Sequence, residues 1–207
     1  MLKQLKDVKF IGDLSLQDAD VLANYARQSS SILEFGTGGS TQIIAQCNPG
    51  INISIETDPE WIAVTQRRLT QLDATPVEFY SYADLAIATQ NKTFDLIFVD
   101  GVDYLRREFA INMWPLLNIN GVMIFHDTRR FNDFQNAAWV AQLFFNEISS
   151  IDVNAIASNG KSSNMTILHK KVNEPYENWN QTEDKPLWAY AAESNSEDLP
   201  LWEHVIK

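Results

Sequence analysis

One cysteine, Cys47, stands in 207 residues, so no disulfide can form within the chain and the fold must rest on its core. That usage fits a reducing compartment. Long apolar runs are also missing. A membrane helix needs about eighteen such residues in succession, and the best stretch, Ala137 to Phe145, is short and holds Gln142. No membrane partner is expected. The opening residues scatter Lys3, Lys6 and Lys9 and contain no apolar block followed by a small-residue cleavage site, so no signal peptide is read and a cytoplasmic location is expected. Basic residues are scarce: 16 Lys and Arg face 27 Asp and Glu, a net charge of −11. A phosphate backbone is bound by clustered Lys and Arg, so no nucleic-acid partner is expected. What remains is ordinary for a globular protein, with 45% hydrophobic and 21% charged residues. A chain of this size can bury a full core unaided.

Strand and helix patterns alternate along most of the chain. Ser15 with Asp18 three residues on resembles a capping box, and a helix is predicted from about Ser15 to Arg27. Ser31 to Phe35 reads as a short apolar strand breaking into Gly36-Thr37-Gly38-Gly39, with a helix from Ser40 to Cys47. Ile51, Ile53 and Ile55 alternate as a strand ending at Glu56. Asp58-Pro59-Glu60 supplies a cap, a first-turn proline and an acid, and starts a helix running to about Leu72. The cycle repeats with a strand at Val77 to Tyr80, a short helix at Asp84 to Thr89, and the almost wholly apolar strand Phe94 to Val99. Such a strand is buried on both faces. Next come a helix at Tyr104 to Leu117, a turn at Asn118 to Asn120, a strand at Val122 to Phe125 and a helix at Phe131 to Phe145. A hairpin then pairs Ile151–Ala157 with Met165–His169 around Ser158-Asn159-Gly160. This is an α/β chain, a doubly wound sheet with helices on both faces. Residues 1–171 read as one domain. Residues 172–207, with Trp179, Trp188 and Trp202, read as an extension that packs on the body or on a partner, a second copy of the chain included.

Ligands of such sheets bind beyond the carboxyl ends of the strands, near the switch point. There the chain carries Glu34 to Ser40, Glu56, Asp84, Asp100 to Asp103, and His126 to Arg130. Gly36 and Gly38 let the backbone turn and approach a ligand, and the next helix offers free N–H groups. Glu56 follows at the distance at which an acid accepts ribose hydroxyls. A dinucleotide loop needs a third glycine where Thr41 stands, and Glu34 would repel a pyrophosphate. Both residues oppose the alternative of a nicotinamide-dependent oxidoreductase. The charges suit a nucleoside that carries positive charge.

Glu34-x-Gly36-x-Gly38-x-Ser40, Glu56, Phe94 to Gly101 and Gly121 to Asp127, in that order and spacing, resemble a class I S-adenosylmethionine-dependent methyltransferase. The likeness covers about Ser31 to His169. Within that superfamily it lies nearest the small-molecule O-methyltransferases that include catechol and sugar O-methyltransferases. The resemblance implies a seven-stranded, Rossmann-like, mostly parallel sheet with the last strand antiparallel. It also implies S-adenosylmethionine as cofactor and methyl transfer to an oxygen of a small-molecule acceptor. Gly36 and Gly38 would pass under the methionine part, Ser40 would also bind the cofactor, Glu56 would hold the ribose, Asp84 would sit near the adenine, and Glu34 would orient the amino-acid end, directly or through water. Asp100 would contact the donor's amino acid or, with Asp127, hold a divalent cation. Metal-dependent relatives carry Asn or Asp directly after the second Asp, and this chain has Thr128 there, which disfavours the metal. His126 is a candidate general base, with Asp127 beside it, because its ordinary pKa suits proton abstraction near neutrality. Arg129 and Arg130 either bind an acceptor's carboxylate or phosphate or pair with the chain's own acids, and Arg106 and Arg107 carry the same two readings. A third class, a donor-binding interaction protein without turnover, is compatible with the tryptophan-bearing extension.

Overall fold

Isoleucine, valine and phenylalanine crowd five short segments, and all five become strands of one sheet. The computed structural model describes residue 12 and residues 14–171 apart from 48 and 73. The extension 172–207, with its expected packing, lies outside the described residues. The strands are β1 (Ser31–Phe35), β2 (Ile51–Glu56), β3 (Glu78–Ser81), β4 (Phe94–Val99), β5 (Leu117–His126), β6 (Ile148–Asp152) and β7 (Met165–Lys170). The helices are α1 (Leu16–Ala26), α2 (Gly39–Gln46), α3 (Pro59–Leu69), α4 (Leu85–Thr89), α5 (Asp103–Met113) and α6 (Phe131–Leu143). Strand order is β3-β2-β1-β4-β5-β7-β6. The first five strands run parallel, and β7 is antiparallel to both β5 and β6. The chain winds outward one way from β1 and resumes on its other side with β4, so the switch point lies between β1 and β4.

Strand periodicity divides the core into two layers. Leu33, Phe35, Ile97, Val99, Met123 and Phe125 meet α5 and α6, with Phe109, Ala110 and Met113 of α5 fully or nearly buried. Ile32, Leu96, Phe98 and Ile124 meet α1 and α2 on the opposite face. Phe109 stacks on Phe35 at 4.7 Å between ring centres. Helix starts obey local chemistry. Ser15 and Asp18 form the capping box of α1, and Asp58 Oδ1 accepts from the Glu60 N–H (2.9 Å) ahead of Pro59 in α3. Among the described residues no helix is long and apolar enough to cross a membrane.

Two sequence expectations differ from the fold. Asn118 to Asn120 do not form a separate turn but belong to β5, which begins at Leu117 opposite Phe94. Asn118 Nδ2 donates to Asp95 Oδ1 (2.8 Å) on the neighbouring strand, and the register shifts across this stretch, where Asn120 takes φ +66° as in a bulge. The last hairpin is also shifted. Its first strand is Ile148–Asp152, and residues 153–164 form a loop with one isolated bridge between Ile156 and Ser162.

Phe109→Ala removes a ring buried between β1 and α5 and should lower unfolding free energy by about 3–5 kcal/mol in urea titrations. A loss under about 1 kcal/mol would mean that this layer is not packed as described.

Candidate active site

The turn after β1 is built on glycine geometry. Gly36 has φ +98°, and a Cβ there would meet the Asp100 carbonyl carbon and oxygen at 2.5 Å. The loops after β1 and β4 therefore touch backbone to backbone, tied by the Asp100 N–H to Phe35 oxygen bond (2.7 Å). Only glycine fits at such an approach.

Beneath that turn lies a buried hydroxyl network rooted in Glu34. Its Oε2 accepts from Thr41 Oγ1 (2.6 Å) and Ser54 Oγ (2.7 Å). Thr41 Oγ1 in turn accepts from the Gly38 N–H (2.8 Å), while Ser54 Oγ lies 2.8 Å from Thr37 Oγ1. Thr41, the departure from a dinucleotide loop, thus bonds the glycine turn to the sheet. Burial pushes the Glu34 carboxyl up to about 7, outweighing the hydroxyls of Ser40, Thr41 and Ser54, and its Oε1 has no hydrogen-bond partner. Glu34 supports the turn from below and does not line the cavity.

The cavity itself, about 430 Å³, opens over the ends of β1, β2, β4 and β5. Gly36, Gly38 and Ser40 line it, together with Glu56, Asp100 and Asp127. Glu56 is gripped by the N–H groups of Thr57 (2.6 Å) and Asp58 (3.0 Å) on Oε1 and by that of Thr37 (3.0 Å) on Oε2. Asp84 is not brought there. It is exposed and accepts from Ser81 Oγ at 2.7 Å, whereas Asp58 and Trp61 of the β2–α3 corner do line the cavity. Glu56, Asp58, Asp100, Asp103 and Asp127 outnumber Arg106 and Arg130, so the lining is acidic. A larger groove, about 780 Å³, runs between α1 and residues 151–156 and, among the described residues, shares no lining residue with this cavity. Its one carboxylate, Asp152, is engaged by His169 at 2.8 Å.

His126 sits behind the cavity wall, 3% exposed. Its Nδ1 is 3.1 Å from Asp100 Oδ1 and 3.7 Å from Asp127 Oδ1, and its Nε2 is 3.5 Å from Asp18 Oδ2, ion-pair distances without hydrogen-bond alignment. Burial works against a charged ring. The carboxylates of Asp100, Asp18 and Asp127 prevail and lift its pKa to about 10. With both nitrogens facing acids, the ring is placed to pair with those carboxylates from behind the cavity wall. Asp127, at φ +61°, accepts from Asn164 Nδ2 (2.9 Å) and pairs through Oδ2 with Arg130.

Asp18, Asp133 and Asn164 complete the arrangement, and local sequence patterns did not single them out for it. Asp133 Oδ1 accepts from Arg106 Nη1 (2.6 Å) and its Oδ2 from Arg130 Nε (2.7 Å). Asn164 N–H donates to Asp18 Oδ1 (2.6 Å). The signal for Asp18 was its capping position, which explains the acid but not the histidine above it.

Asp100, His126 and Asp127 offer three donor atoms within 4.8 Å of one another. The two carboxylates already face the chain's own cations: Asp100 faces His126 and Arg106, and Asp127 faces Arg130. Thr128 is buried and its Oγ1 accepts from Thr166 Oγ1 (2.9 Å). A hard dication prefers open oxygen ligands, so these residues do not fit a resident metal.

No family model and no curated protein matches the chain. Solved structures do. The O-methyltransferase TomG from Streptomyces achromogenes, involved in tomaymycin synthesis and solved with SAM, is similar with TM-score 0.61 and 17% identity, covering 77% of this chain and 82% of that one. An O-methyltransferase from Bacillus cereus in complex with SAH gives TM-score 0.58 and 19% identity, covering 76% and 83%. The N-methyltransferase NodS from Bradyrhizobium japonicum gives TM-score 0.53 and 19% identity, covering 74% and 94%. At these identities the likeness establishes the fold: a class I methyltransferase-like α/β sheet.

Because the folded pKa of His126 lies above its ordinary 6.5, its ion pairs add stability that is full below about pH 6.5 and lost as pH rises toward about 10. Urea midpoints should separate wild type from His126→Gln most at low pH, and the gap should narrow steadily up to that limit. A gap that is flat or widens with pH would contradict a protonated ring.

Proposed function

We propose that the chain is an S-adenosylmethionine-dependent methyltransferase acting on an oxygen of a small hydroxylated acceptor, with sugars in that class. The observation that carries this reading is the glycine turn over an acidic cavity, with Glu56 gripped at the end of β2. The turn at Gly36 leaves no room for a Cβ and opens backbone to a ligand, which fits the methionine part of that cofactor. Five carboxylates in the lining favour a sulfonium and an ammonium and oppose a pyrophosphate. Related folds solved with SAM or SAH support the same ligand.

When bound, S-adenosylmethionine supplies an electrophilic methyl on a positively charged sulfur, which departs as a neutral thioether. The chain's residues bind and align. Gly36, Gly38 and Ser40 cradle the methionine part, with Asp100 near its charged end and Glu34 holding the turn rigid from beneath. Glu56 Oε2, which has one donor, keeps capacity for a ribose hydroxyl. Asp58 and Trp61 take the base end of the cavity in place of Asp84. Asp127 lines the cavity and accepts the acceptor's hydroxyl proton as the new carbon–oxygen bond forms. His126 stays protonated and fixes Asp100 and Asp127 from behind, so it acts through them as a positioning residue. Holding the attacking oxygen in line with the methyl supplies much of the rate effect.

Calorimetry on the full chain, in buffer containing EDTA, is the test. S-adenosylhomocysteine should bind and NAD should not, and Glu56→Ala should weaken the former by about 1.5–3 kcal/mol. Binding of NAD alone would sink the reading. An unchanged Kd for Glu56→Ala would remove that residue from the site.

A further inference from the structure

Both basic side chains of the cavity pair with the chain's own acids. Arg106, with a side chain 7% exposed, donates through Nε to the Gly101 oxygen, pairs through Nη1 with Asp133 (2.6 Å), and through Nη2 faces Asp100 (3.2 Å) and Asp103 (3.4 Å). Arg130, with a side chain 55% exposed, gives Nε to Asp133 (2.7 Å) and Nη2 to Asp127, which leaves its Nη1 edge without a carboxylate among the described residues. Asp133 is buried between them, one carboxylate oxygen on each guanidinium. Among the described residues no other lysine or arginine lines the cavity. Arg129 turns to Ser162, and Arg107 lies over the Trp139 ring at 5.2 Å.

Resting on the methyltransferase reading, we propose that the acceptor is an uncharged hydroxylated molecule and that the site rejects acceptors bearing a phosphate or a carboxylate. A guanidinium recognises such anions by offering a free face of paired N–H donors. Here Arg106 is enclosed by Asp100, Asp103 and Asp133, and Arg130 meets Asp127 and Asp133 along its Nε and Nη2, so that only its Nη1 edge is left, beside those acids. An incoming anion would have to expel one of these carboxylates or settle against a wall that already carries an excess of them. A neutral hydroxyl meets no such barrier, because it donates to a carboxylate and adds no charge. Paired in this way, the arginines fix the direction of the acids rather than attract ligand charge. Both readings of Arg106 and Arg130 raised by the sequence thus resolve toward internal pairing.

The test uses the full chain saturated with S-adenosylhomocysteine and inorganic phosphate as the probe, followed through the arginine Nε–H signals in NMR spectra. In wild type the Arg106 and Arg130 signals should not move saturably with phosphate. Asp133→Asn releases one face of each guanidinium and should create a saturable response. Saturable phosphate binding at these arginines in wild type would overturn the proposal. Should Asp133→Asn fail to fold, transfer of a labelled methyl to matched acceptor pairs decides independently: methyl glucoside against a glucose phosphate, and catechol against a dihydroxybenzoate. The neutral member of any pair turned over should be preferred by about tenfold or more, and preference for the anionic member would contradict the proposal. Calorimetry showing no S-adenosylhomocysteine binding would instead defeat the donor reading and leave the phosphate titration on the protein alone to judge this one.

Discussion

Six charged side chains close a ring in which each neighbour carries the opposite sign: Asp100, His126, Asp127, Arg130, Asp133, Arg106 and back to Asp100. The ring joins the ends of β4 and β5 to the first turns of α5 and α6. Asp18 extends it to α1 through His126. Burying ions costs desolvation, and a complete set of partners mainly avoids leaving any charge uncompensated. The consequence is directional. Two acids at the strand ends cannot turn away from the cavity, because a cation holds each from behind or from the side.

The glycine turn depends on a second buried acid in a different way. Glu34 lies on the sheet face opposite to Leu33 and Phe35, under the turn, and gathers hydroxyls from α2 and β2. Through Thr41 it reaches the Gly38 N–H, and through Ser54 and Thr37 it reaches the residue that grips Glu56. One carboxyl therefore sets both the turn and the spacing between turn and acid. Thr41 occupies the place of a third glycine because its hydroxyl is needed there, so the same substitution that argues against a dinucleotide loop stabilises this one.

Much of the sheet was legible because its strands are short, apolar and β-branched, and because Asp58-Pro59 and Ser15-x-x-Asp18 mark helix starts by local chemistry. The polar ends were harder. Asn118 to Asn120 have turn composition, and they enter β5 as an irregular stretch between the paired Leu117 and Val122, tied to the next strand by the bond to Asp95. Ser149 and Ser150 are exposed on the edge strand β6, where no apolar alternation announces a strand. In the site, residues next to strand ends could be read by position, as with Gly36, Glu56, Asp100 and Asp127. Their roles could not always be read. His126 looks like a base in sequence, and its surroundings of Asp100, Asp18 and Asp127, the first two brought from distant positions, favour its protonated form. Asn164 had no local pattern to betray it, since its partners lie far along the chain, whereas Asp133 pairs both with Arg130 three residues before it and with Arg106 on the neighbouring helix.

The charge state of His126 decides whether the histidine acts as a base or holds the acids in place. Long-range proton–nitrogen correlation spectra of the imidazole report that state directly. Both ring nitrogens of His126 are expected to carry protons at neutral pH and to keep them into the mildly alkaline range, with Asp127→Asn shifting both signals. A neutral His126 tautomer at pH 7, with one nitrogen bare, would contradict that expectation and return the histidine to the role of base.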